Sequence, residues 1–163
     1  MLLAALVSLG CSTTPSKDDR ILLTGPNPAD FASATGSVDG VFERRCGSFD
    51  CHGNTARAMR IYSQNGLRIP NDAGITPGTA PTTTDEVNAN YRSVIGVEPE
   101  QMNDVVKNNG DPYSLLILKK PLQIETHKGG QVMNKGDDSE QCISTWIQGK
   151  TNKVACTNGA ALP

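Results

Sequence analysis

A mostly α fold, made of short helices joined by long loops, is what this 163-residue sequence predicts. Three observations predict it. Capping residues are repeatedly followed by apolar residues at helical spacing and then by Gly or Pro. The 16 glycines and 10 prolines cut the chain into pieces too short for long elements. Aromatic residues make up only 4%, so the core is thin for the length, and a cross-link or a bound apolar group has to offset part of the entropy of ordering the loops.

The first ten residues, MLLAALVSLG, are apolar and end in a small residue directly before Cys11, after which the composition turns abruptly polar. Ten such residues are too few to span a bilayer and have no polar face to suit a core helix. They fit a lipoprotein signal peptide over 1–10, cleaved so that Cys11 carries the lipid anchor. Residues 11–37 are rich in Pro, Gly, Ser, Thr, Asp and Asn, with one apolar patch at Ile21-Leu22-Leu23, and read as a flexible tether. A single domain is expected over 38–163.

Within that domain Asp39 is expected to cap a short helix through Val41, Phe42 and Arg45 that delivers Cys46 at its end. Ile61, Tyr62, Leu67 and Ile69 around Asn65-Gly66 suggest a small hairpin or an irregular extended pair. Residues 71–82 are turn formers without an apolar period and read as a loop. Thr83 and Glu86 form a capping box ahead of Val87, Tyr91, Val94 and Ile95, and Gly96 stops that helix. Glu98-Pro99 opens another with Met102, Val105 and Val106 inward, ended by Gly110. Asp111-Pro112 starts a third through Leu115, Leu116 and Leu118 that Pro121 terminates. Asp137 and Glu140 precede a last helix carrying Cys142, Ile143, Trp146 and Ile147 on one face, stopped by Gly149.

The formal net charge is -2, which gives no basic field for nucleic acid. No Ser-His-Asp set, phosphate-binding glycine loop or HExxH motif occurs, so hydrolase and nucleotide chemistry have no support. The chemistry-bearing stretch is Cys46-Gly47-Ser48-Phe49-Asp50-Cys51-His52. Two thiols followed at once by an imidazole can attach a haem covalently and ligate its iron through His52, although four residues separate the thiols where two are usual. The second of the two histidines, His127, sits in Thr126-His127-Lys128-Gly129-Gly130, where glycines let backbone approach a flat cofactor. His127 is the leading candidate for the other axial ligand; Met133 is its competitor, with Met102 and Met59 behind.

The five cysteines divide accordingly: Cys11 for lipid, Cys46 and Cys51 for thioethers, and Cys142 with Cys156 left to form a disulfide. Two other readings stay open. Cys46 and Cys51 can instead pair with each other in an oxidising compartment, giving a disulfide-stapled binding or structural module. Cys46, Cys51, His52 and His127 also make a Cys2His2 set for zinc on paper, but adjacent Cys51 and His52 do not readily converge on one tetrahedral ion.

The stretches CGSFDCHG, NGLR, TTTDEVNANYRSVIGVEPE, KKPL and HKGG make residues 38–149 resemble the c-type cytochrome domains of exported bacterial lipoproteins. The resemblance implies a cytochrome c-like fold and a single haem c on Cys46 and Cys51 with His52 as proximal ligand. It implies an electron carrier rather than an enzyme, lipid-anchored in the cell envelope on the periplasmic or outer-membrane side. It also implies a redox partner protein.

Overall fold

The computed structural model describes residues 23–70 and 77–161, and over these the chain is helical with no strand beyond a single isolated bridge between Tyr62 and Leu67. Seven α-helices follow one another: α1 Pro28–Phe31, α2 Val38–Cys46, α3 Thr84–Ile95, α4 Pro99–Asn108, α5 Leu116–Lys119, α6 Asp138–Ile147 and α7 Lys153–Ala161. Among the described residues no helix is long and apolar enough to cross a membrane. The expected signal peptide and Cys11 lie outside the described residues, as do Ile21 and Leu22 of the apolar patch.

Helix α6 is the hub, packed against α7 and α2, with Trp146, Ile143, Ile147 and Cys142 all buried as the apolar spacing predicts. Its N-cap is Asp137, whose side chain accepts from the Glu140 backbone N–H. Glu140 does not close a capping box. Its carboxylate instead accepts from the Gly136 N–H at 2.7 Å and from the Tyr113 hydroxyl at 2.6 Å, tying the chain ahead of α5 to α6.

The folded part begins well before residue 38, which corrects the expected tether over its described portion. Phe31 is fully buried, its ring 5.3 Å from that of Trp146 and 5.4 Å from that of Tyr91. Trp146 donates its indole N–H to the Asn27 carbonyl at 2.9 Å, and Tyr91 its hydroxyl to the Pro26 carbonyl at 2.8 Å. A polar composition hid one anchoring aromatic. Burying a Phe gains about 1.5–3 kcal/mol, enough to dock a segment whose remaining residues are solvated.

Two further expectations are corrected. The cap of α2 is Ser37, not Asp39; Ser37 accepts from the Gly40 N–H, while Asp39 lies within the helix and turns into the core. The helix expected from Asp111 to Pro121 is broken: a 3-10 turn at Pro112–Ser114 and α5 are separated by Leu115, which is extended at φ -87°, ψ 140°. The chain after Gly149, where the sequence offered only the partner of Cys142 and no element, forms α7, opened by Asn152, whose side chain accepts from the Ala155 N–H. The Cys142–Cys156 disulfide holds α7 against α6. A link of that loop size contributes about 3 kcal/mol in the chain-entropy model.

The capping box of α3 is present as expected, with Gly96 at its C-cap. From α3 a buried amide organises the segment below it. Asn90 accepts from the Tyr62 N–H at 2.7 Å and donates to the Tyr62 carbonyl and to Asp39, each at 2.8 Å. The Arg60 N–H bonds Ser93 Oγ at 2.8 Å. Residues 59–63 thus run beside α3 on side-chain hydrogen bonds, and the turn at Asn65-Gly66 returns Leu67 to Tyr62, the irregular extended pair in place of a regular hairpin.

Burial, reinforced by the neighbouring Glu43 charge, pushes the Asp39 carboxyl up to about 8. The folded state therefore holds a proton that the unfolded chain releases near pH 4, so folding stability falls as pH rises from about 4 to about 8. Asp39→Asn keeps an oxygen for the Asn90 amide and supplies N–H donors in place of the bound proton. It should flatten the dependence of Tm on pH between about 5 and 8; a slope equal to that of the wild type would assign the dependence to another group.

Candidate functional site

Helix α2 ends at Cys46, and the six residues after it fold back on that end. The His52 N–H donates to the Cys46 carbonyl at 2.8 Å, and the Cys51 and Gly53 N–H groups both donate to the Ser48 carbonyl. A Cβ on Gly53 would lie 2.2 Å from the Gly47 oxygen, so the residue after His52 has to be glycine for the turn to close. Arg57 clamps the loop from outside, donating to the carbonyls of Cys51 at 3.0 Å and Asp50 at 3.2 Å. The four residues between the thiols are thus taken up in a compact turn that returns Cys51 and His52 to the end of α2.

Cys46 and Cys51 are both free thiols, not joined to each other. Cys46 is buried, and burial with the nearby Cys51 pushes its thiol up to about 12, so it stays protonated in neutral water.

The two histidines, 75 positions apart in the chain, come together with ring centroids 6.3 Å apart and planes inclined by only 11°. Each ring is fixed by a backbone carbonyl. His52 Nδ1 is 3.0 Å from the Met59 oxygen, and His127 Nδ1 is 2.8 Å from the Gly130 oxygen. A carbonyl only accepts, so both Nδ1 atoms carry a proton, which leaves Nε2 as the ligating atom of the neutral ring. Partial burial holds the His52 imidazole below its ordinary titration range, keeping it neutral and able to ligate.

The glycines after His127 have separate tasks. A Cβ on Gly129 would meet His127 Cε1 at 3.0 Å, so the backbone there lies against the imidazole. Gly130 adopts φ +74°, in the left-handed region that favours glycine, and this turns its carbonyl onto His127 Nδ1.

Two cavities share this histidine pair. The inner one, about 110 Å³, is walled by Phe42, Cys46, Met59, Val97, Leu116, Ile117 and Pro121. The outer one, about 410 Å³, is bordered by Asp50, Cys51, Arg57, Thr126, Lys128 and Gly129. Lys120 borders both, and its ammonium is held by Glu125 at 2.8 Å and by the Thr126 carbonyl at 3.1 Å. One free thiol therefore opens into each cavity. A separate polar depression of about 360 Å³ beside Glu43, Ser63 and Asn65 contains neither histidine nor cysteine.

Of the residues singled out in the sequence, Cys46, Cys51, His52, His127 and Met59 are brought to one place. Met133 is not among them: it is 1% exposed, packed in the core, and borders neither cavity. The sequence reading missed the carbonyls of Met59 and Gly130, which no side-chain motif announces, and the Arg57 clamp. Among the described residues no three His, Cys, Asp or Glu side chains converge closely enough to enclose an ion. Comparison with protein-family models, with curated proteins and with solved structures finds no match to this chain.

Proposed function

We propose that the protein is a single-haem electron carrier in which Cys46 and Cys51 bind haem c by thioethers and His52 and His127 are its two axial ligands. The convergence of two imidazoles, 6.3 Å apart between ring centroids, with two free thiols at one pair of cavities carries this reading: these are the side chains that would hold a haem.

The surroundings support the same reading. The cavities extend away from the histidine pair, as a flat ligand needs, and the inner one has an apolar wall. A free thiol at each suits two attachment points. Bound there, the group supplies one-electron redox chemistry. The chain's part is to orient both imidazoles through Met59 and Gly130, to make them more basic by those hydrogen bonds, and to keep water from the inner face. If His52 and His127 both held the iron, no position would be left for a substrate, which supports a carrier over a catalyst. Lipidation at Cys11 and a place in the cell envelope complete the proposal, resting on the apolar run before that residue.

Expression with haem-maturation machinery tests it. The purified protein is expected to keep its Soret absorbance through acid-acetone extraction, and Cys46→Ser with Cys51→Ser to lose it. A colourless product with Cys46 and Cys51 disulfide-bonded by mass would replace this reading with that of a stapled binding module.

A further inference from the structure

We infer that the face carrying Leu23, Arg60 and Arg92 rests on an anionic lipid surface. The inference rests on the proposed lipidation of Cys11, not on the haem, and says which side of the fold the anchor brings to the bilayer. Two depressions meet at Arg92 on α3. One, about 230 Å³, is walled by Leu23, Ile95, Pro99 and Met102. The other, about 280 Å³, is bordered by Arg60, Tyr62 and Ser93. Leu23 is 47% exposed although it lines an apolar groove.

The positive charge on this face is unspent. The Arg92 side chain makes no hydrogen bond or ion pair among the described residues, and Arg60 gives its Nε–H to the neutral Arg57 carbonyl at 3.3 Å. No carboxylate borders either depression. Asp85 is two turns of α3 from Arg92, about 10 Å along the axis, and Glu100 and Asp104 lie on the side of α4 opposite Met102. Glu98 is engaged by the Leu116 N–H at 2.6 Å.

The chain enters the described fold at this face, twelve residues after Cys11. A chain of that length reaches about 40 Å fully extended and averages about 20 Å end to end as a coil. An anchor so close holds the bilayer at high effective concentration, so weak contacts suffice to orient the domain. An exposed leucine enters the interface while the arginines beside it meet lipid phosphates, each adding about fivefold in binding.

Leu23→Trp reports the contact. The full chain, lipidated at Cys11, is reconstituted into vesicles of phosphatidylethanolamine and phosphatidylglycerol with brominated acyl chains, and into phosphatidylcholine vesicles with the same chains. Indole fluorescence is read as the difference from the wild type, whose own Trp146 is buried. In the anionic vesicles at about 10 mM ionic strength the added indole should be quenched about twofold or more, and less at about 150 mM, where the Debye length has shrunk from about 30 to about 8 Å. In phosphatidylcholine the quenching should be weak. Arg60→Glu with Arg92→Glu should remove at least half of it in the anionic vesicles; both residues are exposed, so the fold tolerates the change. Lys107→Glu with Lys150→Glu makes the same charge change at residues that border neither depression and should matter much less.

Equal quenching in the two kinds of vesicle, or equal losses in the two double variants, would overturn the inference. So would an added indole that is blue-shifted yet shielded from bromine, which would put Ile21 and Leu22 of the same chain in the groove, or a blue shift that grows with protein concentration, which would put a second copy there. Failure of the lipidation registers separately, as an intact mass without acyl chains, and takes this inference with it; an absent Soret band bears only on the haem.

Discussion

Glu86→Ala should destabilise the fold by about 3–5 kcal/mol, the usual cost of stranding one member of a buried ion pair. Glu86 and Arg68 are both buried, joined by two hydrogen bonds of 2.9 and 2.8 Å. The carboxylate also accepts from the backbone N–H groups of Ile69 and Thr83, each at 2.8 Å, so it closes the capping box of α3 and anchors the chain leading to it. Arg68 is saturated by the carbonyls of Ala80 and Pro81 as well. Burial alone would raise the Glu86 carboxyl, but Arg68 and the two N–H donors outweigh it and hold it at about 2. With the folded value depressed, the stabilisation is present above about pH 4.5 and is lost as pH falls towards about 2. Thermal unfolding at pH 7 should register the substitution as a drop in Tm of about 10 °C, at roughly 2–4 °C per kcal/mol for a domain of this size. Arg68→Met with Glu86→Leu should cost less than Glu86→Ala alone, because no charge is left unpaired. A single substitution costing under about 1 kcal/mol would mean that water reaches the pair.

The helices that could be read from the sequence are those whose boundaries are written in local chemistry. Thr83 and Glu86 announce α3 because their reciprocal hydrogen bonds span only three residues, and Glu98-Pro99 announces α4 because a first-turn proline costs nothing there. What was not legible depends on contacts far apart in the chain. Asn27 caps the single turn α1, but the turn persists because Phe31 reaches Trp146, 115 positions away. Helix α7 has hardly any apolar face of its own and is held by α6, α2 and a disulfide. Asp39 looked like a cap because Asp usually is one; the partner that draws it inward, Asn90, lies 51 residues on.

The candidate site was legible as a set of side chains and not as a geometry. Cys46, Cys51 and His52 are adjacent in sequence, and the glycines after His127 flagged that loop. That the two imidazoles meet with nearly parallel planes is decided by the Met59 and Gly130 carbonyls, and Met59 is in turn fixed by the bonds of Arg60 and Tyr62 to α3. Backbone acceptors leave no trace in residue identity. Spacing could not tell which of His127 and Met133 lies at the candidate site either; the fold puts Met133 in the core and His127 beside His52.

His127→Gly should convert the ferric protein from a low-spin to a high-spin absorption spectrum, because on the proposed assignment it removes one axial ligand without touching the thioethers. Added imidazole should restore the low-spin form by entering the space the side chain leaves, whereas Met133→Leu should leave the spectrum as it was. His127→Met, if the sulfur reaches, should raise the reduction potential by on the order of 100 mV, within the roughly 0.8 V open to axial ligand choice. The orientation of the rings gives an independent readout. If both rings held the iron, imidazole planes only 11° apart would remove the near-degeneracy of two iron d orbitals that perpendicular rings would preserve. The ferric wild type should therefore show a rhombic low-spin magnetic resonance spectrum. Gly129→Val adds bulk where even a Cβ would come to 3.0 Å from His127 Cε1, so it should rotate the ring and change that spectrum while leaving covalent attachment intact. An unaltered spectrum in both His127→Gly and Gly129→Val would remove His127 from the site and leave His52 to hold the iron with a different partner.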